Sequence, residues 1–184
     1  LIDLADVLSI PLEQPLRDAL NIFGDGVLEF FIATDTYQAA AWWKLRKHIS
    51  EAQKTEGISI KHDVSVPISR VAEFISLANA ALMQLYPDVR IVIFGHIGDG
   101  NIHYNPSLPD ATQNHEFIAH SAQINQLIYE IVHDLGGSIS AEHGLGQLKR
   151  NEIHHYKSAL EMELMHNIKQ MLDPNYLMNP KKVL

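Results

Sequence analysis

Two histidines lie on either side of a Gly-Asp-Gly turn in the stretch GHIGDGNIHYN, residues 95–105. Asp-Gly is among the strongest two-residue hairpin signals, because a type I′ turn requires positive φ at both central positions. With Asp99 and Gly100 at those positions, His96 pairs with His103. Opposed side chains on one sheet face are about 4.5–5.5 Å apart, close enough for two imidazoles to bind one metal ion. The pattern predicts either half of a metal site or two polar residues on a solvated sheet face.

A third ligand would separate these alternatives, and the stretch AEHGLG offers Glu142 and His143 as candidates. The pair follows a short predicted strand, SIS, and precedes a glycine-rich turn, and loops at strand ends often carry functional side chains. Asn105 lies two residues after His103 and so shares its face of the strand. By itself, the Glu-His pair is weak evidence for a site.

A candidate anion site consists of Arg46 and Ser50, four residues apart on a predicted helix, and of Lys61 on the next strand. Arginine can bind a carboxylate through two parallel hydrogen bonds, and lysine adds a second positive charge. The same residues could equally form a solvated helix face and an exposed lysine. The residues therefore predict a carboxylate anchor only if the helix and the strand face one cleft.

The composition is that of a folded globular protein, since apolar residues make up 46% and charged residues 20% of the 184 residues. The 14 basic and 22 acidic residues give a net charge of −8, which argues against a nucleic-acid-binding surface. Cysteine is absent, so any metal must be bound through nitrogen and oxygen ligands. No apolar run reaches the roughly 18–20 residues that a membrane-spanning helix needs.

Helices and strands alternate along the chain without a linker or a repeat, so we treat residues 1–184 as one domain. The antiparallel hairpin favours an α+β fold of the ferredoxin-like kind, with an antiparallel sheet and helices packed mainly on one face. Helices are predicted at residues 12–23, 37–56, 69–86, 124–135 and 158–172. Strands are predicted at residues 26–34, 58–66, 89–96 and 138–140.

Four stretches in one order carry a family resemblance: WKLRKHIS, IKHDVSVP, GHIGDGNIHYN and GGSISAEHGLGQLKR, followed by DPNYLMNPKKVL. They resemble the C-terminal domain of FAD-linked oxidases of the D-lactate dehydrogenase, glycolate oxidase and D-2-hydroxyglutarate dehydrogenase group. The similarity runs from about residue 25 to the end, and the G-H-x-G-D-G-N-x-H and A-E-H-G motifs are specific. It implies that the chain is the substrate- and metal-binding domain of a longer flavoprotein, whose N-terminal FAD-binding domain is absent from this sequence.

The resemblance also implies roles for individual residues. The ligands of a divalent metal, with zinc favoured over manganese or iron, would be His96, His103 and Glu142. The residues that hold the substrate's carboxylate and hydroxyl groups would be Arg46, Ser50, Lys61 and Asn105. The base that removes the hydroxyl proton would be His143, and the residue near the flavin would be Asn179.

The function implied by the resemblance is oxidation of a 2-hydroxy acid, such as D-lactate, glycolate or D-2-hydroxyglutarate, to a 2-oxo acid with hydride transfer to FAD. The chain alone should be inactive. The expected partners are the FAD domain and an unidentified electron acceptor, a homodimer is compatible, and the expected location is cytoplasmic, free or held at a membrane by an electron-transfer partner. Two alternatives stay open: a metal-dependent hydrolase, and a non-catalytic module that binds a carboxylate or a metal.

Overall fold

A computed structural model describes residues 1–4, 11–55 and 57–184. The chain divides into two compact units, Leu1–Thr55 and Glu56–Leu184. Residues 1–184 were predicted to form one domain, and the assignment of the whole chain to a substrate- and metal-binding domain stays a prediction.

The described residues of the first unit include three α-helices, α1 at Glu13–Ile22, α2 at Thr36–Lys47 and α3 at Ile49–Thr55. The helix predicted at 12–23 is confirmed as α1. The helix predicted at 37–56 is divided at His48 into α2 and α3. The strand predicted at 26–34 is wrong: these residues pair with no other described strand, and strand-like composition forms a strand only where a partner supplies the hydrogen bonds.

The second unit contains a three-stranded antiparallel sheet with β1 at His62–Ser65, β2 at Arg90–His96 and β3 at Asn101–Ser107. The strand order is β1-β3-β2, so β3 is central. The strands predicted at 58–66 and 89–96 are confirmed as β1, which is shorter, and β2. The antiparallel sheet and the surrounding helices confirm the predicted α+β class.

Helices of the second unit cover one face of the sheet. Two long helices, α4 at Val71–Leu85 and α6 at Ser121–Asp134, pack on each other. The shorter helices are α5 at Asn114–Ala119 and α7 at Ile153–Tyr156. Helix α8, at Ala159–Leu172, begins with a capping box, in which Ser158 Oγ accepts the N–H of Glu161 and the Glu161 carboxylate accepts the N–H of Ser158.

The two faces of the sheet have different chemistry. Alternation along the strands places Val64, Ile102 and Tyr104 on one face, where all three are buried in the hydrophobic core. The opposite face carries the polar residues Asp63 and His103, which pair across β1 and β3. The sequence therefore builds a sheet with an apolar face under the helices and a polar face.

The hairpin between β2 and β3 differs from the predicted two-residue turn. His96 pairs with Asn101 rather than with His103, and four residues, 97–100, form the turn. Gly100 ends this turn with φ +72°, and a Cβ there would lie 2.0 Å from the carbonyl oxygen of Val66. The predicted opposition of the two histidines is wrong because Asp-Gly lies in the second half of a longer turn. The register shifts by two residues, so both histidines keep the same sheet face.

Candidate active site

Four side chains that could bind a metal or move a proton converge on the polar face of the sheet. They are Asp63 on β1, His103 on β3, and Glu142 and His143 in the AEHG loop, and one ligand atom from each lies within 4.8 Å of the others. The side chains of Asp63 and His103 are 6% and 14% exposed, whereas those of Glu142 and His143 are 45% and 66% exposed. The cluster is therefore buried at the sheet and open to solvent at the loop.

The AEHG loop reaches the cluster because its preceding residues run beside β1. The segment predicted as a strand at 138–140 forms a single bridge, in which Ser138 and Ser65 exchange both backbone hydrogen bonds at 2.8 and 3.0 Å. Gly137 permits this approach, since a Cβ there would lie 2.2 Å from the carbonyl oxygen of Ser65. The N–H of Ala141 then donates to the carbonyl oxygen of Asp63 at 3.2 Å. Backbone pairing thus carries the loop to the polar face.

The side chain of Asp63 fixes the next two residues of the loop. Its Oδ2 accepts the backbone N–H of Glu142 at 3.1 Å and that of His143 at 2.8 Å. Asp63 was assigned no role from sequence. The available signal was a carboxylate in the middle of a strand whose apolar residues all lie on the opposite face.

The two imidazoles lie between two carboxylates. The rings of His103 and His143 stack with their centroids 5.5 Å apart. On one side, Glu142 Oε1 is 3.0 Å from Nε2 of His103 and 3.7 Å from Nε2 of His143. On the other side, Asp63 Oδ1 is 3.9 Å from Nδ1 of His103, and Asp63 Oδ2 is 3.4 Å from Nδ1 of His143.

The donor atoms of this cluster fit a divalent cation. Two ligands at about 2.0–2.2 Å from a tetrahedral zinc ion are about 3.3 Å apart, close to the 3.0 Å between His103 Nε2 and Glu142 Oε1. The buried Oδ1 of Asp63 has no hydrogen-bond partner, and a buried acceptor in that state is costly unless a cation or a donor lies near it. Imidazole and carboxylate together suit zinc, iron or manganese.

His96 lies at the end of β2 and is exposed. It is not a member of the cluster formed by the described residues. His96 lies on the same sheet face as His103 but pairs with Asn101, two residues nearer the turn, so the two histidines are diagonal neighbours. Diagonal neighbours are about 7–8 Å apart at the backbone, a distance that long side chains can bridge. Its predicted role as a metal ligand stays a prediction.

The residues predicted to bind substrate are divided between the two units. Arg46 is on α2 and Ser50 on α3, both in the first unit. In the second unit, Lys61 is exposed just before β1, and Asn105 is buried on β3, on the predicted face of His103. Their binding roles stay predictions.

Asn179, predicted to lie near the flavin, is an exposed residue of the irregular segment after α8 and has φ +47°. Positive φ is uncommon outside glycine, and asparagine is one of the residues that tolerates it. The backbone conformation explains why asparagine suits this position but does not test the flavin contact.

A half-buried lysine lies near the cluster, and a buried histidine lies on the core face of the sheet. Lys149 Nζ donates to the carbonyl oxygen of Ile139 at 2.6 Å and lies 5.2 Å from the centre of the Tyr129 ring. Burial lowers the pKa of Lys149, and the negative charge of Asp63 opposes that effect. His62 Nδ1 is 2.8 Å from the carbonyl oxygen of Tyr104, and burial lowers the pKa of this histidine to about 4. Neither residue was assigned a role from sequence.

Comparison with known protein families covers nearly the whole chain. Residues 11–183 match the family described as FAD linked oxidases, C-terminal domain. The chain belongs to this family. Its membership confirms the predicted resemblance, which rests on the motifs that carry His103, Glu142 and His143.

Relatives of this FAD linked oxidase domain include two bacterial proteins named D-2-hydroxyglutarate dehydrogenase. The protein from Stutzerimonas stutzeri (strain A1501) is 41% identical over 157 residues, which are 85% of this chain and 34% of that relative. The protein from Xanthomonas citri pv. viticola is 43% identical over 159 residues, which are 86% of this chain and 33% of that relative. The mitochondrial D-2-hydroxyglutarate dehydrogenase of Arabidopsis thaliana is 38% identical over 164 residues, covering 89% of this chain and 27% of that relative.

The FAD linked oxidase domain thus spans about a third of the length of the curated relatives that it matches. Among the described residues, none of its helices is both long and apolar enough to cross a membrane.

Proposed function

We propose that the protein containing this domain is an FAD-dependent dehydrogenase of 2-hydroxy acids, with D-2-hydroxyglutarate as the first candidate substrate, and that this domain binds the substrate and a divalent metal. The observation that carries the proposal is the cluster of Asp63, His103, Glu142 and His143 in a member of the FAD linked oxidase family. The names of its relatives support the substrate class.

His143 is the proposed base for the hydroxyl proton of the substrate. Its side chain is 66% exposed, so a substrate can reach Nε2, while its backbone N–H is fixed by Asp63 at 2.8 Å. A base that is held in place and accessible meets the geometric requirement for general base catalysis. When bound, FAD supplies the acceptor for the hydride of C2, so the protein contributes orientation and proton transfer.

His103 and Glu142 are the proposed metal ligands in the second unit, with His96 as a third ligand from the end of β2. A divalent ion held there would stabilise negative charge on the substrate hydroxyl, as zinc does for bound water. Because Glu142 is half-exposed, an ion held there would be accessible to substrate. A catalytic rather than a structural metal needs this open position.

Substrate binding by Arg46, Ser50, Lys61 and Asn105 is part of the proposal. Arg46 and Lys61 carry two positive charges. These charges suit a dicarboxylate, because one carboxylate would bind the metal and the other would need a cationic partner. D-2-hydroxyglutarate is such an acid, whereas D-lactate and glycolate carry one carboxylate each. The substrate choice therefore rests on this charge count and on the names of the relatives.

The activity is tested with the full-length protein, an artificial electron acceptor, and D-2-hydroxyglutarate, D-lactate and glycolate in parallel. We expect the highest kcat/KM for D-2-hydroxyglutarate, no turnover by the present chain alone, and a decrease in kcat of about 100- to 10,000-fold in His143→Gln. A matched control is His115→Gln, an exposed histidine outside the cluster. Oxidation of none of the three acids would contradict the proposed function.

The metal is tested by elemental analysis of the full-length protein. We expect about one zinc per protein in the wild type and its loss in His103→Ala and His96→Ala, with His115→Ala as the control. Unchanged metal content in the first two variants would show that these histidines are not ligands. Retention in His96→Ala alone would restrict the site to the four residues of the cluster.

A further inference from the structure

Asp63 has contacts that neither a structural anchor nor the proposed reaction accounts for. Its Oδ2 holds the backbone of Glu142 and His143, and the same oxygen is 3.4 Å from Nδ1 of His143. Its Oδ1 is 3.9 Å from Nδ1 of His103 and has no hydrogen-bond partner. One buried carboxylate thus faces the Nδ1 side of both imidazoles.

We propose that Asp63 is a positioning residue that holds His143 and His103 with the Nδ1 proton directed toward itself. This arrangement leaves Nε2 of each ring on the side of Glu142, where a substrate proton or a metal ion would be bound. The proposal rests on the proposed function for its catalytic consequence, but the proton positions are a property of the protein alone.

Electrostatics favour this proton arrangement. The separations of 3.4 and 3.9 Å are longer than hydrogen bonds, so these contacts act through charge. A protonated Nδ1 is attracted to a carboxylate, whereas a lone pair in the same place is repelled. A carboxylate that orients the second nitrogen of a metal-binding or catalytic histidine is a common arrangement in metalloenzymes.

Asp173 is an equally buried aspartate whose side chain anchors nearby backbone, and its contacts differ from those of Asp63. The two carboxylate oxygens of Asp173 accept the N–H groups of Leu177 and Met178, and Lys169 of the same helix supplies a positive charge. All of its contacts are local. Asp63 instead uses Oδ2 for the backbone and leaves Oδ1 toward the ring of His103, with the half-buried Lys149 as a nearby cation.

The first experiment measures the tautomer of His143 in the full-length protein labelled with nitrogen-15 histidine. Long-range proton–nitrogen correlation spectra distinguish Nδ1–H from Nε2–H, and the signals of His143 are identified by their loss in His143→Gln. At about pH 8 we expect Nδ1–H. Observation of Nε2–H would overturn the proposal. This measurement needs no turnover, so it is independent of the proposed function.

The second experiment compares Asp63→Asn with the wild type in turnover. The amide oxygen of asparagine can still accept the two backbone N–H groups, but the charge is lost and an NH₂ donor can face Nδ1 of His103. We expect kcat at saturating metal and substrate to fall about 10- to 100-fold with little change in the temperature of unfolding. A pure anchor would be rescued by asparagine, so a decrease of less than about tenfold would overturn the proposal.

The control is Asp110→Asn, which changes an exposed carboxylate that also accepts a backbone N–H, from Thr112 at 2.9 Å, but lies outside the cluster. Its kcat should equal that of the wild type. If Asp63→Asn does not fold, the tautomer of His143 in the wild type still tests the proposed role of Asp63. If the wild type oxidises no 2-hydroxy acid, the proposed function fails while the tautomer still tests the role of Asp63.

Discussion

The two faces of β1 and β3 carry adjacent residues with opposite physical roles. On the core face, His62 is almost fully buried among Tyr104 and Tyr129, and burial holds it in the neutral state. On the polar face, Asp63 and His103 lie beside a loop that leaves His143 exposed to solvent. Because consecutive residues of a strand point to opposite faces, His62 packs in the core while its neighbour Asp63 belongs to the candidate site.

This difference teaches where each kind of damage should appear. The core face is stabilised by removal of apolar surface from water and by close packing. The polar face contains a buried carboxylate oxygen without a hydrogen-bond partner, which by itself lowers stability rather than adding to it. Substitutions on the core face should therefore lower the free energy of unfolding, and substitutions on the polar face should lower activity or metal binding at nearly constant stability.

The largest effect on stability is expected for Phe74→Ala under the core face. Phe74 is fully buried on α4, and its ring meets that of Tyr104 edge to face with centroids 5.7 Å apart. Removal of the ring leaves a cavity and should lower the free energy of unfolding by about 3–5 kcal/mol. Urea unfolding followed by circular dichroism measures this loss. A loss below about 1 kcal/mol would contradict the assignment of this face as the core.

Much of this core was predictable from sequence because its signals are local. The apolar spacing in residues 69–86 predicts α4, and Ser158 with Glu161 predicts the start of α8, since each signal depends on residues within one or two helical turns. The alternation in residues 58–66 also predicts which face of β1 is polar. Local signals therefore sufficed for α4, for the start of α8 and for the orientation of β1.

The parts that sequence reasoning missed depend on distant partners or on a choice between turns. Asp63 accepts hydrogen bonds from the backbone N–H groups of Glu142 and His143, which lie 79 and 80 positions later in the chain. No local sequence pattern predicts such a contact. The hairpin register failed because Asp99-Gly100 fits both a two-residue and a four-residue turn, and contact of Gly100 with Val66 favours the longer one. The motifs that carry His103, Glu142 and His143 were found by resemblance, while their convergence required the folded chain.

The second effect on the core face depends on pH through His62. Its pKa is about 4 in the folded protein against 6.5 ordinarily, so the unfolded chain binds more protons between these values. We expect the contribution of neutral His62 to the free energy of unfolding to be fully present above pH 6.5 and to decrease as the pH falls. Near pH 4 the loss should be about 3 kcal/mol. The temperature of unfolding across this range measures the loss. His62→Asn cannot titrate, and an equally steep decline in that variant would assign the acid sensitivity to other groups.

The smallest effect on stability is expected on the polar face, in Glu142→Gln. The Glu142 side chain is 45% exposed and its backbone N–H, not its carboxylate, is the group bound by Asp63. Glutamine has the same size, so the free energy of unfolding should change by less than about 0.5 kcal/mol. The metal should nevertheless bind more weakly, because a neutral amide replaces a charged oxygen 3.0 Å from His103 Nε2. Titration of the metal-free full-length protein with zinc measures that affinity. A large loss of stability with unchanged affinity would reverse the contrast between the two faces and give Glu142 a structural role.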